Sequence, residues 1–149
     1  MKKNIVCLVV LVVLSTLSSL AFAGATKEEA SALVKKASAY FKANGKEKLF
    51  SEINNPSGQF VKEELYLFAT GFDGVMLAHG NNPKLIGKNV GEMKDSAGKN
   101  FFPDFVKMAN QGGGWVDYKW NNPKTKKIDI KTTYIYKFGD FFVGCGIYK

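Results

Sequence analysis

The hydrophobic positions change period along the chain, and each change marks a new element. Ala30, Leu33, Val34, Ala37 and Phe41 recur at helical spacing and make one apolar stripe on an otherwise polar segment. Thr26 and Glu29 stand just ahead of it with capping-box spacing: the hydroxyl can bond the third helical N–H while the carboxylate reaches back. Asn44-Gly45 supplies a left-handed stop. A short second helix carrying Leu49, Phe50 and Ile53 follows, ended by Asn54-Asn55-Pro56. The stripe on the first helix suits a core-facing surface or a dimer seam, and a core role with a monomer or weak homodimer is expected.

The period then becomes that of strands. Residues 65–70 and 75–79 read as a hairpin joined by Gly71-Phe72-Asp73-Gly74. Residues 80–99 are rich in Gly, Asn and Pro, with little periodicity beyond a helical turn. Phe102, Phe105, Val106 and Ala109 place an apolar face on a helix over residues 101–110, with Pro103 tolerated in its first turn. From Gly112 to Tyr148 the residues are β-branched and aromatic, cut by turn chemistry at residues 121–127 and 138–140. Two cuts predict three consecutive antiparallel strands. The order helix, helix, strand, strand, loop plus helix, three strands predicts an α+β fold. Its five-stranded antiparallel sheet would carry the helices on one face.

The first residues belong to no such element. Lys2 and Lys3 precede an apolar run over residues 5–14, and Ala21-Phe22-Ala23 is a small-x-small cleavage site, the pattern of a secretory signal peptide. A membrane anchor would need roughly 20 apolar residues, and Ser15, Thr16, Ser18 and Ser19 interrupt this run. Residues 1–23 are therefore expected to be removed and residues 24–149 to form a single secreted or periplasmic domain. The exported protein should have an intact mass that starts at Gly24; retention of the first 23 residues would overturn that expectation. Cys7 lies too early for lipid attachment, and once it is gone Cys145 has no partner for an internal disulfide.

The net charge of +8 is carried by 21 basic residues, every one a lysine. Nucleic-acid readers rely on arginine for bidentate contacts, and only Lys124, Lys126 and Lys127 cluster here, in a turn. A soluble basic surface is expected and nucleic-acid binding is not. One histidine and no CxxC, CxxCH or HExxH pattern argue against zinc and covalent haem. Residues 80–89 miss the spacing and the Ser/Thr of a phosphate loop, Asp95-Ser96-Ala97-Gly98 lacks the carboxylates of a calcium loop, and no GxSxG elbow occurs. Cys145 and His79 could pair as nucleophile and base, but a thiol between Gly144 and Gly146 in an apolar strand reads as inert packing. No enzyme activity, cofactor or metal is expected.

Several spaced motifs carry a family resemblance. Phe72-Asp73-Gly74-Val75-Met76-Leu77-Ala78-His79-Gly80, Gly87-Lys88-Asn89, Asp95 to Gly98-Lys99, Gly114-Trp115-Val116-Asp117-Tyr118, Asn121 to Pro123, and Lys131 to Tyr134 closing on Gly144, Gly146-Ile147-Tyr148 resemble a single Cache domain of the Cache_2 type. The resemblance covers residues 26–149. It implies an extracytoplasmic PAS-like fold, a long N-terminal helix followed by an antiparallel sheet cupping a small ligand, commonly a small carboxylate or related metabolite. It also implies the signalling context of membrane chemoreceptors, histidine kinases or cyclases. No apolar span follows Lys149 in this sequence, so a separate membrane chemoreceptor or histidine kinase is the expected partner.

Candidate site residues follow from alternation. In residues 115–120, Val116, Tyr118 and Trp120 share one face, and Trp115, Asp117 and Lys119 the other. Charges belong outside, so Tyr118 and Trp120 face in, as an aromatic pocket wall or as plain core. Lys131, between Ile130 and Thr132, is either an exposed strand lysine or a fixed cation for a carboxylate. Tyr134, three residues on, faces away from Lys131 in a regular strand, and the two share a pocket only across a bulge. His79 is a ligand donor or a hydrogen-bonded strand end. Phe102, on the helix that can roof the sheet, completes the set. The alternative function is an accessory or interaction module whose pocket is filled by side chains.

Overall fold

The two N-terminal helices form where their punctuation directs. In the computed structural model residues 24–149 are described, so the predicted signal peptide, its cleavage site and Cys7 lie outside the described residues. Helix α1 (Lys27–Asn44) starts on the capping box: Glu29 N donates to Thr26 Oγ1 at 3.2 Å and Thr26 N to Glu29 Oε2 at 2.9 Å. It stops at Gly45, whose φ of 83° is the left-handed region that glycine enters without a side-chain clash. Ala30, Val34 and Ala37 are buried and Leu33 and Phe41 pack beside them, so the stripe faces the core. Helix α2 (Lys46–Ile53) buries Leu49 and Ile53 against the same cluster.

Strands β1 (Val61–Lys62), β2 (Leu65–Gly71), β3 (Met76–His79), β4 (Gly114–Asn121), β5 (Ile128–Lys137) and β6 (Phe141–Tyr148) make one antiparallel sheet in the order β1-β2-β6-β5-β4, with β3 also on β2. Leu67 N–H bonds to Phe60 O and its carbonyl accepts from Gly80 N, so β1 and β3 lie end to end along one edge of β2. Helix α3 (Phe102–Asn110) and a single 3-10 turn at Pro83–Leu85 complete the chain.

The α+β class, the long N-terminal helix and the antiparallel sheet agree with the sequence; two details differ. The sheet has six strands rather than five, because β1 is two residues long and leaves no alternation to read. The helices cover both faces rather than one. Leu65, Leu67, Ala69, Val143 and Cys145 face α1 and α2, whereas Phe68, Val116, Tyr118, Ile135 and Phe142 face α3. The reason is visible in β2, which is buried at every residue. A strand that is apolar on both sides needs cover on both sides, and α3 with the irregular segment before it supplies the second layer.

Glycine positions set how closely that second layer approaches. A Cβ at Gly144 would overlap the Phe68 ring and stand 2.9 Å from Ile135 Cδ1. Gly144→Ala should therefore overpack the core and destabilise the fold by roughly 1–3 kcal/mol, read as a lower denaturant midpoint. Cys145, fully buried on the α1 face, has its thiol pushed up to about 12 by burial. It should label slowly in the folded protein and fully after denaturation; fast native labelling would show an open thiol.

Candidate functional site

The α3 face of the sheet holds a cavity of about 20 Å³, room for about one water molecule. Its floor comes from alternate residues of the strands: Tyr66, Phe68 and Thr70 on β2, Tyr118 and Trp120 on β4, and Lys131 on β5. His79 and Met76 close the β3 side, and Phe101, Phe105, Val90 and Met93 form the roof.

Lys131 dominates the chemistry. The register sets it opposite Tyr118 on β4 and Tyr148 on β6, and it is 1% exposed. Its ammonium donates to Tyr66 Oη at 2.6 Å and lies 3.9 Å from the centre of the Tyr66 ring and 4.9 Å from that of Tyr148. Among the described residues no carboxylate lies within 4 Å of it. Burial pulls its pKa from the ordinary 10.5 down to about 7. Gly146 makes the approach possible: a Cβ there would run into Thr133 Oγ1 and the methylenes of Lys131.

The polar groups around this cation form an ordered set. Tyr148 Oη donates to Asn121 O at 2.8 Å, so Tyr66 Oη, which accepts from Lys131, donates on to Tyr148 Oη at 3.2 Å. Thr133 Oγ1 donates to Tyr118 Oη at 3.2 Å, and the Tyr118 ring stacks on Phe101 with centroids 4.6 Å apart. Burial pushes the Tyr66 and Tyr118 hydroxyls well above their usual pKa. His79 Nδ1 accepts from Asn81 N at 3.2 Å and Asn82 N at 2.9 Å, which assigns the ring proton to Nε2. Burial, and then the nearby Lys131 charge, lower His79 to about 3. It is a neutral donor at physiological pH.

Of the candidates read from sequence, Tyr118, Trp120, Lys131 and His79 come together around one cavity. Tyr134 does not join them. The pairing of β5 with both neighbours runs from Lys131 through Tyr134 with no bulge, so Tyr134 points to the opposite face. There it packs on Trp115, with centroids 5.3 Å apart, and lines a hollow beside α1. Phe102 shares the α3 aromatic layer but packs on Phe142, outside the cavity wall. Tyr134→Ala should accordingly leave affinity for a cavity ligand unchanged, whereas Tyr118→Ala should weaken both binding and stability; a titration of each variant checks this. Cys145 and His79 lie on different faces of the sheet and make no nucleophile–base pair.

Sequence reading missed Tyr66 and Thr70; from the helix expected to roof the sheet it selected Phe102 rather than Phe101 and Phe105, which line the cavity. The even positions of β2 could have found the first two, since a strand buried on both faces must aim half its side chains at each layer. One cation, tyrosine hydroxyls and a neutral imidazole N–H within an aromatic shell can hold a small oxyanion.

A family model described as Single Cache domain 2 matches residues 19–149. The sensor histidine kinase MctS of Rhizobium johnstonii is 28% identical over 85 residues, 56% of this chain and 18% of that protein. The methyl-accepting chemotaxis protein McpP of Pseudomonas putida is 33% identical over 76 residues, 49% of this chain and 14% of that protein. The matches thus span less than a fifth of either relative. Among solved structures, a methyl-accepting chemotaxis protein from Vibrio parahaemolyticus superposes with a TM-score of 0.69 at 23% identity, covering 82% of this chain and 87% of the other. A Cache chemosensory domain solved as a structural basis for carboxylic acid recognition gives 0.63 at 25% identity, covering 81% and 86%.

Proposed function

The chain belongs to the single Cache domain 2 family, and from that premise we propose that it is an extracytoplasmic binding domain for a small monocarboxylate, held in the cavity at Lys131. Cache domains of this type are the sensor domains of chemoreceptors and histidine kinases, the two kinds of protein it matches. The observation that carries the proposal is a fully buried lysine ammonium with no carboxylate within 4 Å among the described residues. A buried charge faced only by a hydroxyl and two rings is costly without a counter-ion, and a ligand carboxylate would supply one. His79 stays neutral at physiological pH, so with Lys131 protonated the site offers one positive charge and suits one negative charge.

The cavity of about 20 Å³ is room for about one water, so even a C2 acid would enter only as Met76 and Met93, unbranched and adaptable, repack. The bound state would be reported to a separate membrane chemoreceptor or histidine kinase, and the Lys2-Lys3 leader pattern would deliver the domain to it outside the cytoplasm. The domain would bind and release its ligand without turning it over.

The small cavity also supports the second reading, an accessory module whose pocket is filled by its own side chains. A thermal-shift panel of C2–C4 acids separates the two. A true ligand raises the melting temperature progressively with concentration above its Kd. A flat response across monocarboxylates would leave the accessory module standing.

A further inference from the structure

The hairpin that joins β4 to β5 presents a surface that carboxylate binding does not use. Ile128 and Ile130 are 58% and 47% exposed, the two most exposed large hydrophobic residues described. They share one face of β5, and the register sets Asn121 opposite Ile128 and Lys119 opposite Ile130. Beyond them the turn carries Lys124, Lys126 and Lys127, all exposed.

That turn is stiff. Asn122, 4% exposed, accepts on Oδ1 from Lys124 N at 2.9 Å and Thr125 N at 3.4 Å. Its main chain bonds Lys126 N and Lys127 O at 2.9 and 2.8 Å. Asp129, near the start of β5, accepts from Asn122 Nδ2 at 2.9 Å and Thr125 Oγ1 at 3.0 Å. Among the described residues no carboxylate lies within 4 Å of the ammonium of Lys119, Lys124, Lys126 or Lys127, although the Asp95 carboxylate accepts from Lys119 N at 2.9 Å. Glu63 and Glu64, across a hollow from Lys124, and Asp95, beside Lys119, reduce the local positive charge, and the three turn lysines remain exposed.

We propose that this hairpin tip docks on an anionic lipid bilayer, with Ile128 and Ile130 entering the boundary between headgroups and acyl chains and the four lysines meeting lipid phosphates. Two isoleucines are far too small a patch for a stable protein interface, which buries on the order of 1,000 Å². A membrane surface has no such threshold, because apolar insertion and charge attraction add residue by residue. Lysine ammonium groups are flexible point charges, matched to an array of mobile phosphates rather than to a fixed bidentate partner.

Sedimentation of exported protein with phosphatidylcholine vesicles, with and without phosphatidylglycerol, tests this. Binding is expected only to the anionic vesicles and should weaken with salt. Lys124→Ser, Lys126→Ser and Lys127→Ser together should lower partitioning by about a hundredfold, near fivefold per lysine. Ile128→Ser with Ile130→Ser should lower it by about tenfold. A control of equal charge change on α1, Lys35→Ser, Lys36→Ser and Lys42→Ser, should lose much less. Absence of binding to anionic vesicles, or equal losses from the hairpin and control triples, would overturn the proposal. Carboxylate binding, measured in parallel, stands or falls separately.

Discussion

Replacing Lys131 by methionine is expected to weaken carboxylate binding about ten- to a hundredfold and, at neutral or acid pH, to raise the melting temperature of the ligand-free protein. Both effects come from one fact: the ammonium is buried among aromatic rings and a hydroxyl, with no carboxylate beside it among the described residues. Its hydrogen bond to a ligand carboxylate contributes about 1.5–3 kcal/mol, or about ten- to a hundredfold in affinity. Burial lowers the lysine from 10.5 to about 7, so below that value the folded state carries the full cost of holding it charged. At about 1.4 kcal/mol for each pH unit of displacement, that cost is roughly 5 kcal/mol. Methionine keeps the unbranched chain that threads past Gly146 and removes the charge. Lys131→Ala is less informative, since deleting the packed chain costs about 2–5 kcal/mol on its own. Calorimetry on both proteins decides the matter: if Lys131→Met binds the same acid as tightly as wild type, the anchor lies elsewhere. If it also melts lower, the charge was not the dominant cost.

Much of the fold was legible because local rules agreed with one another. Thr26 and Glu29 capped a helix whose stripe proved to be core, and the turns at Asn122–Lys127 and Gly139 cut the last third of the chain into the strands observed. What escaped was cover on the second face. The clue lay in the unbroken apolar run of β2, which was read as one strand of a one-sided sheet although both its faces are buried. The site divided the same way. Alternation on β4 placed Tyr118 and Trp120 correctly, and strand geometry correctly warned that Tyr134 would face away from Lys131. Alternation alone could not say whether Lys131 faced water, because that depends on a roof built by Phe101 and Phe105 together with Val90 and Met93 of the distant and weakly patterned segment before α3. Gly144 and Gly146 were the residues that could have told: glycines in the middle of a strand mark a close approach, and here Phe68 and Lys131 occupy the space.

The affinity for a monocarboxylate should be level from the acid's own pKa up to about pH 7 and then fall about tenfold for each further pH unit, because only the protonated lysine pairs with the anion. The sign is set by linkage. Between about 7 and 10.5 the unfolded chain holds the Lys131 proton and the ligand-free fold does not, so the stability of the free protein rises with pH across that window. Below about 7 both states hold it, and this group gives no slope. Ligand binding restores the proton, so near pH 8 each binding event should take up close to one proton, seen as a calorimetric enthalpy that varies with the ionisation heat of the buffer. The other groups around the cation do not titrate there. His79 on β3 is lowered to about 3, Tyr148 and Cys145 on β6 are pushed up to about 12, and burial holds Tyr66 on β2 and Tyr118 on β4 well above their usual range. Lys131 alone therefore governs the window. An affinity that stays level to about pH 9, with no buffer dependence, would mean that the lysine keeps its proton without a ligand, and the unpaired cation would no longer explain why the cavity takes an acid.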